Sequence, residues 1–331
     1  MSNKLLHVSG SPHIHSGEST KKIMWSVVIA LLPALVVSVI YFGLPPLIIT
    51  AVAILSCMFF EYAACKWFLK TTPTITDGSA VITGMLLAFN LPSNLPLGWV
   101  ILGSFVAIIV AKMAFGGLGR NLFNPALVGR AFLLISRPVE MTTWPKPEPI
   151  WGFTDAITGP TPLGLMKEGL KAGQTPDQIM QTAEGFPNYV QMLFGQMGGS
   201  FGEISAIALL VGAIFLLIRK VITWHIPVAF LGSAFLVAAI LHWVDPTAYV
   251  TPWFHLVTGG MILGACFMAT DMVTSPVSPK GMLVFGAGCG LLTIVIRVFG
   301  AYPEGVSFAI LLMNSVTPLI DRAFKPKMFG K

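Results

Sequence analysis

Charge is what this sequence has least of. Only 10% of its 331 residues are Asp, Glu, Lys or Arg, against 55% hydrophobic, and mean hydropathy is +0.79. A soluble domain cannot keep such a surface hydrated, so a soluble globular protein is excluded. Cysteine is also scarce. Cys57, Cys65, Cys266 and Cys289 lie in apolar runs without a CxxC spacing, which argues against a zinc site or a four-cysteine iron–sulfur site. They read as buried, unpaired thiols, with a site shared across helices left open. Residues 1–20 are polar and lack the basic-then-apolar order of a cleavable signal. The Walker lysine is missing after Gly116-Gly117-Leu118-Gly119, and no strand precedes it. Those glycines therefore read as close packing and a tight turn, not a phosphate loop.

What is present is a recurrence of apolar runs about 20 residues long, enough to cross a hydrocarbon core about 30 Å thick. The chain reads as an all-α polytopic membrane protein. Spans are expected at about 23–43, 47–65 and 97–115, then 203–218, 224–243, 255–270, 282–299 and 305–320. Two apolar stretches, 79–91 and the one from Asn124-Pro125 to Ser136, are too short to cross and read as pieces of broken helices. The sum is about ten elements, five on each side of a polar segment. Thr83-Gly84-Met85-Leu86-Leu87-Ala88-Phe89 recurs as Thr258-Gly259-Gly260-Met261-Ile262-Leu263-Gly264-Ala265-Cys266-Phe267, each on the third element of its half. Five elements per half make the second half run the opposite way, giving two inverted repeats with the working site near their interface. The organisation is a cytoplasmic arm (1–20), a first repeat (21–136), an extracytoplasmic loop (137–202), a second repeat (203–322) and a cytoplasmic tail (323–331).

The net charge of +6 is distributed as membrane topology requires, not as nucleic-acid binding would need. Lys21, Lys22, Lys66, Lys70, Arg219, Lys220, Lys280 and Arg322 fall at helix ends on one side, placing both termini inside. Among polar groups near the spans, Asp77 and Asp271 adjoin broken helices. Each is either an ion-path residue, because an ionisable group at membrane depth is costly, or a cap on a short helix; capping is the simpler reading. Asn124 and Asn314 offer amides to a ligand in the bundle, or satisfy backbone freed by the breaks. Glu61 and Lys112 read as snorkelling to the cytoplasmic surface. His13 and His15 in the polar arm have no further metal ligands near them in sequence and read as surface.

The polar segment holds Asp155-Ala156-Ile157-Thr158-Gly159-Pro160-Thr161-Pro162-Leu163-Gly164 near the chain's midpoint. Pro162 restricts Thr161 to an extended conformation, and Gly159 permits close approach of a bulky ligand. Taken alone, the string is a turn. Asp155 to Thr161, however, resembles the Asp-x-x-Ser/Thr-Gly-Ala-Thr flavinylation motif of the NqrB/RnfD family, with Pro160 where the family usually has Ala. Ser11-Pro12-His13, the 116–126 stretch and Ala269-Thr270-Asp271 through Gly281 resemble the same family. The resemblance implies covalent FMN on the Thr161 hydroxyl, with Asp155, Thr158 and Gly159 as the rest of the motif. It also implies a urea-channel-like fold and a place in the ion-translocating Rnf complex, which couples electron flow between ferredoxin and NAD to Na⁺ or H⁺ movement. The implied partners are RnfA, RnfB, RnfC, RnfE and RnfG, a flavin transferase and the lipid bilayer. NqrB relatives also carry riboflavin in the bundle, so a second flavin is an open expectation. Competing readings are an NqrB-like component of a quinone-reducing pump, a solute channel, and a passive anchor.

Overall fold

The computed structural model describes residues 18–72, 74–147, 158–182 and 186–325. Its helices begin where the sequence supplies a cap. Ser19 accepts from Lys22 N to open α1 (Thr20–Phe42), and Gly43, at φ 71°, ends it. Next come α2 (Pro45–Ala63), prolonged by a π turn over Ala64–Leu69, then α3 (Ser79–Phe89) and α4 (Leu97–Phe105), which runs on through a π turn at Val106–Val110 to Phe115. Asn124 accepts from Ala126 N, and Pro125 takes the first helical position of α5 (Pro125–Ser136).

The polar segment is itself ordered where described. It carries the short helices α6 (Pro138–Thr142), α7 (Pro162–Lys171), α8 (Pro176–Thr182) and α9 (Tyr189–Phe194). A two-residue strand pair joins β1 (Trp144–Pro145) to β2 (Thr158–Gly159). The second half holds α10 (Ala206–Ile218), α11 (His225–Val244), α12 (Pro252–Val257) and α13 (Met261–Leu263), the last extended by a π turn over Gly264–Met268. It closes with α14 (Pro279–Phe299) and α15 (Val306–Ala323).

Among the described residues, six helices are long and apolar enough to cross a membrane: Thr20–Phe42, Pro45–Leu69, Leu97–Phe115, His225–Val244, Pro279–Phe299 and Val306–Ala323. Ser79–Phe89, Pro125–Ser136 and Ala206–Ile218 are apolar but shorter. The span expected over 255–270 is not continuous. It breaks at Gly259 (φ 61°) and Gly260, between α12 and α13, because a left-handed residue cannot continue a helix. The span expected from 203 starts at Ala206, capped by Ser205, since Glu203 belongs to the preceding turn.

The halves pack through small residues. In α3, a Cβ on Gly84 would stand 2.7 Å from Ile54 Cα in α2; in α14, one on Gly286 would stand 2.7 Å from Ile226 O in α11. Backbones thus touch where lipid-like side chains offer no hydrophobic drive of their own. α2 packs on α3 and α4, as α11 packs on α12 and α14; α3 touches α5, and the Gly264–Met268 turn touches α15. α1 lies along α10, joining the halves. A single large core runs through both, from Leu31 and Phe89 to Phe230 and Phe285. A second, smaller core made of Leu163, Met166, Ile179, Met192, Val250 and Phe254 seats the polar segment on the second half.

Candidate functional site

Thr161 stands at the N-cap of α7. Its backbone is extended (φ −69°, ψ 159°), as the following proline requires, and its Oγ1 accepts from Gly164 N at 3.1 Å. The side chain is only 6% exposed. Two cavities meet at this residue. The larger, about 240 Å³, is lined by Arg130, Trp144, Pro160, Glu168, Tyr302 and Glu304 as well as Thr161. The smaller, about 10 Å³, adds Ser200, Glu203 and Thr258. Thr158 and Gly159 hold the approach to Thr161 in register by pairing with Pro145 and Trp144. Asp155 lies outside the described residues.

Beneath Thr161 lies a charged cluster that sequence reading did not single out. Arg130, inside the apolar α5, binds Glu304 and Ser307, and its Nη1 is 3.9 Å from Glu203 Oε1. Arg297, from α14, donates to His255 O at 2.7 Å and to Thr258 O at 3.0 Å across the α12 break. The signal was available: an arginine within a twelve-residue apolar helix and a glutamate next to an apolar run are costly unless they have partners or work. Lys167 fastens α7 to the same region by donating to Arg297 O, Gly300 O and Tyr302 O. Desolvation, then repulsion from Lys171, lowers its pKa.

A second site lies at the opposite end of the bundle. Ile23 and Met24, at the start of α1, line a cavity of about 110 Å³, whereas Ser38, about four turns on, reaches Phe201 O beside the polar segment. Lys112, Ser79, Asn121, Asn124, Thr270 and Asp271 supply the cavity's polar lining. Two of the sequence candidates, Asn124 and Asp271, therefore meet here. Asn124 Nδ2 also donates to Met268 O at 3.2 Å, and the Asn314 amide, turned to match donors with acceptors, donates to Ile310 O and accepts from Asn124 N. Both asparagines satisfy backbone at the broken elements. Asp271 accepts from Val273 N and Thr274 Oγ1.

Asp77 does not line this cavity. Its Oδ1 accepts from Ser79 N, the first backbone amide of α3, at 2.7 Å. The snorkelling reading of Glu61 and Lys112 is overturned. Lys112 Nζ lies 2.6 Å from Glu61 Oε2 and 2.7 Å from Ser79 Oγ, with the Lys112 and Glu61 side chains 2% and 0% exposed. The π turn at Val106–Val110 precedes Lys112, which points into the bundle instead of up to water. Among the described residues no three His, Cys, Asp or Glu side chains are grouped to hold a metal, and the four cysteines are buried and free.

Residues 7–330 match the NQR2, RnfD, RnfE family. The chain is 45% identical, over 98% of its length and 96% of the relative's, to the D component of the proton-translocating ferredoxin:NAD(+) oxidoreductase complex of Clostridium ljungdahlii. It is likewise 45% identical, over 98% of its own length and 95% of the relative's, to the D component of the Na(+)-translocating ferredoxin:NAD(+) oxidoreductase complex of Acetobacterium woodii. Against the D component of the ion-translocating oxidoreductase complex of Pectobacterium carotovorum it is 38% identical, with 98% of each chain covered. This polytopic chain, with its ordered polar segment and broken helices, belongs to the NQR2, RnfD, RnfE family.

Proposed function

We propose that the chain is the RnfD component of an Rnf-type ferredoxin:NAD(+) oxidoreductase, an ion-translocating membrane complex, and that it carries FMN esterified through its phosphate to Thr161. The observation that carries the cofactor reading is the position of Thr161 at the N-terminus of a ten-residue helix, facing a cavity walled by Trp144 and Tyr302. A phosphodiester on Oγ1 would lie at the positive end of the α7 dipole, with the Gly164 amide beside it. Trp144 and Tyr302 offer aromatic surface to a planar ring, and Pro160, in place of the usual alanine, lines the same cavity. The residues present therefore fit the group. When bound, FMN supplies electron-transfer chemistry that no side chain here provides.

The chain's own contribution is position. Lys167 ties α7 to the end of α14, so the anchor cannot drift relative to the bundle. Burial of Thr161 requires the α7 N-terminus to open while a flavin transferase works on it. The covalent bond then holds the cofactor at fixed distance from the other Rnf subunits, RnfG as electron donor among RnfA, RnfB, RnfC and RnfE. The two relatives at 45% identity name different ions, so identity does not assign Na⁺ or H⁺ to this chain. The cavity of Asn124 and Asp271 is the place in this chain where a second flavin or an ion path would lie.

Two inverted five-element repeats, with both termini cytoplasmic and 137–202 outside, is the architecture we infer. Matching contacts support it: in each half the fourth helix sends a buried cation to its third element, Lys112 to Ser79 and Arg297 to His255 and Thr258. Basic residues at the end of the bundle remote from Thr161 support the orientation. In-gel flavin fluorescence after full denaturation tests the cofactor. A fluorescent band at 35.5 kDa from the chain matured in its native host, lost in Thr161→Ala, is expected; a dark wild-type band would overturn it.

A further inference from the structure

Glu203 is buried at 5% exposure in the turn before α10, and its Oε2 has no hydrogen-bond partner. Its other oxygen reaches Arg130 only at 3.9 Å. Arg130 meanwhile spends its close contacts on Glu304 and Ser307. An ionised carboxylate in that position would be a buried charge with half its acceptors idle, which the interior tolerates poorly. Neutralisation is the way out: a carboxylic acid needs less solvation than a carboxylate and can lie against the bare Cα of a glycine. Glu203 does so, packed on Gly260 at the α12 break so closely that a Cβ there would overlap Oε1.

A route for a proton adjoins it. The void beside Glu203 has about 10 Å³ of room, about that of one water molecule. That void shares Thr161 and Glu304 with the 240 Å³ cavity next to it. We propose that Glu203 is a proton-binding site of the Thr161 face, holding one proton at Oε2 and exchanging it with water through the cavity beside Thr161.

Groups of both signs face Glu203 from the elements packed around it. Glu203 faces Arg130 from α5, Glu304 from the turn before α15, Arg297 from α14, and the uncharged Thr161 and Thr258 from α7 and the α12 break. Burial is the largest influence and, with repulsion from Glu304, raises its pKa, to about 7, against the lowering effects of Arg130, the Ser200 hydroxyl and Arg297. With Glu203 ionised, two arginines and two glutamates cancel. With it protonated, the four groups carry one positive charge, the complement of a phosphodiester monoanion on Thr161. This last point rests on the FMN reading; the proton site itself does not.

The test is infrared difference spectroscopy of the intact complex, stepped between about pH 5 and about pH 9, across the range that separates a perturbed carboxyl from an ordinary one. A protonated-carboxyl band that titrates near neutrality and is missing from Glu203→Gln, but retained in the control Asp77→Asn, is the expected result. A wild-type complex without such a band, or one whose band survives Glu203→Gln, would overturn the proposal. Should Glu203→Gln assemble poorly, Glu203→Asp must move the apparent pKa of the band; an unmoved band is equally fatal. Thr161→Ala separates the two readings. Loss of the anion should shift the apparent pKa of Glu203 downward, whereas an unshifted band would count against phosphate at Thr161 while leaving the proton site standing.

Discussion

Lys112 and Glu61 form an ion pair at 2.6 Å with both side chains sealed from solvent. Ser79 Oγ takes a second bond from Lys112, and Thr74 Oγ1 donates to Glu61 Oε1 at 2.8 Å. The network ties α2 and the end of the fourth element to the start of α3, next to the cavity of Asn124 and Asp271. A buried pair adds little net stability, but breaking it strands a charge. Lys112→Met or Glu61→Leu alone should each cost roughly 3–5 kcal/mol, and the double variant distinctly less than their sum. Thermal unfolding of the purified chain in detergent, run as a double-mutant cycle, measures this; additive losses would mean the two residues do not interact.

Gly212 lets α10 lie against α1. A Cβ there would overlap Ala30 O, whereas one on Gly232 in α11 meets nothing within 4 Å. Backbone cannot swing aside as a side chain can, so Gly212→Ala should lower stability by about 1–3 kcal/mol. Gly232→Ala should be neutral or stabilising by up to about 1 kcal/mol, because alanine is the better helix former. The pair is read by the shift in midpoint temperature, with opposite signs expected.

Lys167 donates to three carbonyls at and beyond the end of α14, where a cation complements both the free carbonyls and the negative end of the helix dipole. Lys167→Met keeps the aliphatic stem and removes the charge. The expected loss is about 1–2 kcal/mol, concentrated locally. Hydrogen exchange should quicken across α7 and the last turn of α14 while α2 and α4 stay unchanged.

The raised pKa of Glu203 makes stability depend on pH with a definite sign. A carboxyl that binds its proton more tightly when folded than when unfolded favours the folded state most at low pH. That advantage is lost as pH rises from the ordinary carboxylate value near 4.5 through the folded value of about 7. Wild type should therefore lose stability across this window relative to Glu203→Gln, whose amide keeps the neutral form at every pH. Midpoint temperatures of the two, measured at intervals of about one pH unit, should diverge with rising pH; parallel curves would contradict the assignment.

Much of the architecture follows from one-dimensional signals. Runs of apolar residues, Ser19, Asn124 and Ser278 at helix starts, and Gly43 at a helix end act locally, so α1, α5 and α14 lie where the pattern of residues says they should. The extended backbone of Thr161 follows from its neighbour Pro162 in the same way. The break at Gly259–Gly260 was less legible, because hydrophobicity continues across it and only the backbone conformation departs.

Partnership is what the tertiary structure decided. Nothing in the sequence separates a Lys112 that snorkels from a Lys112 that meets Glu61, since the two stand 51 positions apart and the choice depends on how two helices are rotated. The same holds for Arg130 and Glu203, which stand 73 positions apart and meet at the face of Thr161. By itself the sequence determined that this chain is a membrane protein and where most of its long helices lie, because hydropathy and turn chemistry are properties of neighbours. Which charges are buried together, and hence where a proton can be held, was decided only by folding. Burial and electrostatic pairing are set by distances in space, and those exist only once the two halves have closed on each other.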